Sequence, residues 1–146
     1  MVNTTLFSCR DLEGELPMAG FDWNTFYSLF NAEMNNVCTV GRYTFPKSPK
    51  YPYLDVALSD ISSGHYDLEN NEGSQAPMIT LDVYCNNYDD AKCLEVSMKA
   101  KKVMLSYGFQ CITGPMKTNN TDPAVARWTA RYKRVFGNGD EFRKLN

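Results

Sequence analysis

Residues 77–86, PMITLDVYCN, alternate strictly. Ile79, Leu81, Val83 and Cys85 share one parity, and Thr80, Asp82 and Tyr84 share the other. A period of two describes a strand with one buried and one wet face. The fold must therefore supply cover for one side of a sheet and leave the other side polar. The segment that follows, residues 88–109, predicts the main helix. Asp89 or Asp90 is placed to cap its start, and Gly108 to end it in a left-handed turn. This helix carries two apolar stripes. One runs through Cys93, Val96, Ala100, Val103 or Met104, and Tyr107, and the other through Ala91, Leu94, Met98 and Leu105. Lys92, Glu95, Lys99 and Lys102 fill the remaining arc. A helix apolar on two sides calls for two partners. One is its own sheet. The other is either a further element of the chain or a neighbouring subunit.

A second helix is expected over 22–36, capped by Asp22, with Trp23, Phe26, Phe30 and Met34 on its inner face. Strands are expected at 37–43, at 53–59 (Leu54, Val56 and Leu58 inward), at 109–113 and at 126–136. Three prolines make 44–52 a loop, and 114–123 reads as another. Residues 60–76 are acidic and rich in turn residues, so they read as one long polar loop, functional by its length. Residues 1–21 hold few periodic apolar residues. They read as an extension that folds back on the body or lies on a neighbour. The remainder, 22–146, is expected to be a single α+β domain, ordered α-β-β-β-α-β-β. Its antiparallel or mixed sheet would carry two main helices on one face.

With 146 residues and 43% hydrophobic content the chain has enough material for a real core. No segment is long and apolar enough for a membrane span. The N-terminus lacks an apolar signal region, so synthesis in a cytosol is expected, and the glycosylation patterns at Asn3 and Asn119 then carry no meaning. Five cysteines (Cys9, Cys38, Cys85, Cys93, Cys111) without a CxxC pair read as buried thiols, not as a zinc cluster or disulfide framework. The single histidine, His65, lies in the polar loop, away from any nucleophile the pattern supplies. Asp67, Glu69 and Glu72 lack the spacing and turn glycine of a calcium loop and read as solvated acids. No phosphate-binding glycine loop or nucleophile elbow is present. We therefore expect no enzyme, no cofactor and no metal.

Charge is divided along the chain. Residues 1–90 hold 13 acids and 4 bases, whereas 91–146 hold 11 bases and 4 acids. Such a subunit is suited to head-to-tail packing with its own copies. The segment 126–136, ARWTARYKRVF, sharpens this. Trp128, Tyr132 and Phe136 fall on one parity, and Arg127, Arg131 and Lys133 on the other. Nucleic-acid-reading sheets need aromatics and bases on the same face. Here the aromatics are expected in the core, and the cations form a strip facing an acidic neighbour or passing phosphate.

In their order, KSPKYPYLDVALSD (47–60), SGHYDLENNEGS (63–74), ITLDVYCNNYDDAKCLEVSMKAKKVMLSYGF (79–109) and ARWTARYKRV (126–135) resemble a family of small tail proteins. These are the tail terminators, or tail completion proteins, of long-tailed bacteriophages and prophages of Gram-positive bacteria. The likeness spans about residues 23–137 and rests most on the Pro52-Tyr53 strand entry, LDVYCN, the helix ending YGF and TARYKRV. It implies a structural virion protein, made in the host cytoplasm, forming a hexameric ring on the head-proximal end of the tail tube. The ring ends tube polymerisation and offers a head-tail joining surface. Implied partners are copies of itself, the tail tube protein and a connector protein of the neck, with DNA passing through the lumen unread. Subunit or lumen contacts are expected at Arg127, Arg131, Lys133, Asp67, Glu69, Glu72, Leu94 and Met98. Two alternatives stand beside it. One is a head-completion or connector-adaptor subunit of the neck. The other is a small nucleic-acid-binding domain, whose salt-sensitive DNA binding would vanish on Arg127→Ala with Arg131→Ala.

Overall fold

A computed structural model describes residues 21–64 and 74–137. Helix α1 (Trp23–Met34) opens on Asp22, whose carboxylate accepts from the Thr25 N–H at 3.2 Å and from the Thr25 hydroxyl. It buries Phe26, Phe30 and Met34 at the expected helical spacing. Strand β1 (Thr39–Arg42) follows, then β2 (Tyr53–Gly64), β3 (Ser74–Cys85), α2 (Asp90–Ser106), β4 (Gln110–Thr118), β5 (Ala126–Lys133) and β6 (Phe136–Gly137). Asp89 caps α2 by accepting from the Lys92 N–H at 3.0 Å. Gly108, at φ 83°, lets the chain reverse, and the Phe109 N–H returns to the Met104 carbonyl at 3.1 Å.

The strands form one mixed sheet in the order β1-β2-β3-β5-β4, with β6 also on β3. Among the described strands only β1 pairs parallel, with β2. The fold is a single-domain α+β structure with two described helices and a six-stranded sheet. Leu54, Val56, Ile79, Leu81, Val83 and Cys85 close against Phe26, Phe30, Cys93, Val96, Ala100 and Met104. Cys38, Cys85 and Cys93 are buried free thiols and Cys111 is half-buried. Cys9 lies outside the described residues.

Three expectations are corrected. The loop expected at 60–76 is mostly strand at its two ends. Beyond a register shift at Leu58/Asp60, β2 and β3 stay paired through Asp60↔Met78, Ile61↔Pro77 and Ser62↔Ala76 to Gly64↔Ser74. This outer ribbon is held by backbone bonds and has Ile61 exposed, so no apolar alternation announces it. Residues 65–73, with His65, Asp67, Glu69 and Glu72, lie outside the described residues. Strand β4 is also longer than expected and runs through Gly114 and Pro115, which the sequence marks as a turn. The register shifts on either side of Thr113, so the pair forms an irregularity in an edge strand, a place where proline is tolerated. A Cβ on Gly114, at φ 87°, would stand 2.4 Å from the Thr129 carbonyl oxygen. The last strand breaks after Lys133, and Phe136 belongs to β6, paired to Gln75 of β3. Tyr132 and Phe136 are fully buried as expected, whereas Trp128 lies at the fringe of the core and its Nε1–H donates to Asp90 at 2.9 Å.

Candidate functional site: the polar sheet face and the outer side of α2

Both helices pack on the face that carries Leu54, Val83 and Tyr132, which leaves the opposite face for Tyr53, Asp55, Asp82, Tyr84, Arg127, Arg131 and Lys133. Lanes on this open face are fixed by register. Tyr53, Tyr84 and Arg127 stand abreast, as do Asp55, Asp82 and Thr129, then Thr80 and Arg131, then Met78 and Lys133.

Part of the face is not wet. The crossover between β1 and β2 folds over it and sets Phe45 on Tyr84, ring centroids 4.5 Å apart, and edge-on to Tyr53 at 5.6 Å. The Tyr53 hydroxyl donates to the Thr44 carbonyl at 2.7 Å, and the Thr44 N–H donates to Asp55 at 3.0 Å. Under this cover Asp82 is only 8% exposed. Its Oδ1 accepts from Arg127 Nε at 3.1 Å and from the Thr129 hydroxyl. Arg127 also donates to the Asn119 carbonyl at 3.4 Å and lies 5.8 Å from the Tyr84 ring centre. Burial pushes the Asp55 carboxyl above its ordinary value, and the neighbouring Asp82 pushes the same way, against the Thr44 N–H. Burial likewise raises the Tyr84 phenol.

The three cations of β5 therefore divide. Arg127 belongs to a half-buried ion pair and is held in the wall of the sheet. Arg131 is exposed and Lys133 half-exposed, and neither is paired with an acidic group among the described residues. The sequence could show the shared parity of all three. It could not show Asp82 opposite one of them, 45 positions away.

Leu94 and Met98 lie elsewhere, on α2, where they are 40% and 46% exposed, with Leu105 also 46% exposed. Their side of the helix adjoins β4, because Asp90 on the same arc reaches Lys117 of β4 at 2.9 Å. Hydrogen bonds from Trp128 and Lys117 hold the Asp90 carboxyl below its ordinary value. The opposite arc carries the surface pairs Lys92–Glu95 and Lys99–Glu95. Among the described residues β4 is the outermost strand on its side of the sheet, and it exposes Ile112 and Met116. Neither exposure was legible beforehand, since Ile112 sits in a register shift and Met116 follows the supposed turn.

Among the described residues no three His, Cys, Asp or Glu side chains gather for a metal ion. A cleft of about 300 Å³ lies between Gly108, Gln110, Ile112, Lys133, Arg134 and Val135. Another of about 280 Å³ lies beside Tyr88, Asp90, Lys117 and Arg127. Compared with known proteins, the chain matches no family model and no curated sequence.

Proposed function

We propose that this chain is a structural subunit of a phage tail, the terminator ring that ends the tail tube and presents the joining surface for the head. The observation that carries the reading is the separation of opposite charges between the segment 65–73 and strand β5. At one end the β2–β3 ribbon extends past the strands' apolar stretch, and the segment 65–73 that joins its two strands holds three acids and no lysine or arginine. On β5, Arg131 and Lys133 offer cations without acidic partners among the described residues. An acidic segment on one copy and a basic strip on the next suit a heterologous contact, which closes into a ring when its rotation permits. The order of segments that resembles tail terminators supports the same reading, and a hexamer is the expected ring. Electron microscopy of particles assembled with and without the gene product is the test. Over-long tails, or tails with no proximal cap and no head, are the expected result. Leaking DNA-filled heads beside finished tails would move the protein to the head side of the neck. Normal joined particles would overturn the structural role.

A further inference from the structure

Two of the buried thiols meet where the sheet hands over to the helix. Cys85 ends β3, and Cys93 sits in the first turn of α2; their exposures are 2% and 0%. We propose that Cys85 and Cys93 form a modification site, a dithiol that a peroxide converts to a disulfide, tying the first turn of α2 to the end of β3. The inference does not rest on a role in a phage tail.

The fold brings the pair together in a short span. Asn87 and Tyr88, both at φ 57°, turn the chain out of the strand, and Asp89 caps the helix that returns over the sheet. The Cys93 sulfur then stands 3.1 Å from the Val83 carbonyl oxygen and 3.5 Å from that of Ala126. Val83 shares the inner face of β3 with Cys85, and Ala126 is the β5 partner of Cys85 in register. The helix thus sets one sulfur on the step of the sheet from which the other projects, and the two thiols share a hydrogen bond. The remaining described cysteines are engaged elsewhere. The Cys38 thiol is directed to the Met34 carbonyl at 3.9 Å, and the Cys111 thiol to the Gly114 carbonyl at 3.2 Å.

The chemistry assigns a role to each sulfur. The hydrogen bond from Cys93 favours the Cys85 thiolate and holds that thiol below its ordinary value against burial. The same bond, with burial, makes Cys93 keep its proton. Cys85 is therefore the nucleophile. Its thiolate attacks one peroxide oxygen, the O–O bond breaks, and Cys85 becomes a sulfenic acid while the other oxygen leaves as hydroxide. The Cys93 sulfur then attacks the Cys85 sulfur. The S–S bond forms, the S–O bond breaks, and the second hydroxide takes the Cys93 proton and leaves as water. The proton first lost by Cys85 neutralises the first hydroxide. Two thiols and one hydrogen peroxide thus give one disulfide and two waters, the two electrons passing from sulfur to oxygen. Because both sulfurs are buried, peroxide reaches them when the first turn of α2 opens, a local event at a helix end.

The test exposes the reduced full-length chain to hydrogen peroxide, blocks the remaining thiols with N-ethylmaleimide in denaturant and maps the peptides without reduction. A monomer lighter by two hydrogens is expected, with the Cys85–Cys93 link at least about ten times as abundant as any other pairing, because the folded geometry selects the partner. In urea the same oxidant should spread the links over several pairings. In Cys93→Ala, dimedone should trap the sulfenic acid on Cys85. If that variant does not fold, dimedone added to the parent during oxidation replaces it, and the adduct should again fall on Cys85. Links mainly to Cys38 or Cys111 or between two copies, the same distribution in buffer and in urea, or no link under peroxide that oxidises the urea-unfolded chain would each overturn the proposal.

Discussion

Arg127 and Arg131 look equivalent along β5, and truncating each should separate them. Arg127→Ala leaves Asp82, 8% exposed, with the Thr129 hydroxyl as its remaining side-chain partner on Oδ1. Removing one member of a fully buried pair costs about 3–5 kcal/mol because the other charge is stranded. The Arg127 side chain is 32% exposed, so solvent screens part of that, and we expect about 2 kcal/mol. For a domain of this size that is a fall in Tm of roughly 4–8 °C. Arg131→Ala removes an exposed cation with no acidic partner among the described residues and should stay within about 0.5 kcal/mol of the parent. Urea unfolding of both variants, read by tryptophan fluorescence with a common slope, measures the difference. Adding Asp82→Asn to Arg127→Ala should recover part of the loss, since the stranded charge is gone. Equal, small costs for the two arginine variants would refute the division of the basic row. So would a double variant less stable than the sum of its parts.

Four further outcomes are expected. The Ser97 hydroxyl is buried in α2 with no hydrogen-bond partner among the described residues, so Ser97→Ala should stabilise by about 1 kcal/mol in the same unfolding assay. A Cβ on Gly41 would stand 1.8 Å from the Tyr53 hydroxyl oxygen, so Gly41→Ala must displace that ring from Thr44 and should cost about 1–3 kcal/mol, read as a lowered Tm. Asp55 has its folded pKa raised by burial, so the folded state holds its proton more tightly than the unfolded one. Its stabilising contribution is full below the ordinary value of 3.8 and is lost as pH rises through the raised value, so Asp55→Asn should flatten the stability–pH curve across that interval. Burial pushes the Cys38 thiol up to about 12, so a thiol reagent at pH 8 should modify it in the folded protein only as fast as the structure opens.

What could be read from the sequence follows from what each element depends on. Helix α1 was legible because its cap, Asp22, and its inner stripe, Phe26, Phe30 and Met34, lie within one short segment. The inner half of β3 was legible because Ile79, Leu81 and Val83 bury one face and so must alternate. The outer ribbon, Asp60↔Met78 to Gly64↔Ser74, depends on backbone pairing and not on a buried face, so its residues are free to look like a loop. In β4 the sheet edge accepts Gly114 and Pro115, which would have broken a central strand.

The candidate site divides along the same line. Parity placed Arg127, Arg131 and Lys133 on one face, and they are on one face. Their chemistry differs because of what lies in the next lane. Arg127 falls in the lane of Tyr84 and reaches Asp82 beneath the Phe45 cover, whereas Arg131 falls beside Thr80. The same local sequence therefore yields one cation that fixes β5 to β3 and one with no acidic partner among the described residues. A charge count over residues 126–136 treats them as a single patch. Only the register of the sheet, set by contacts more than forty residues apart, separates the cation paired with Asp82 from the exposed one.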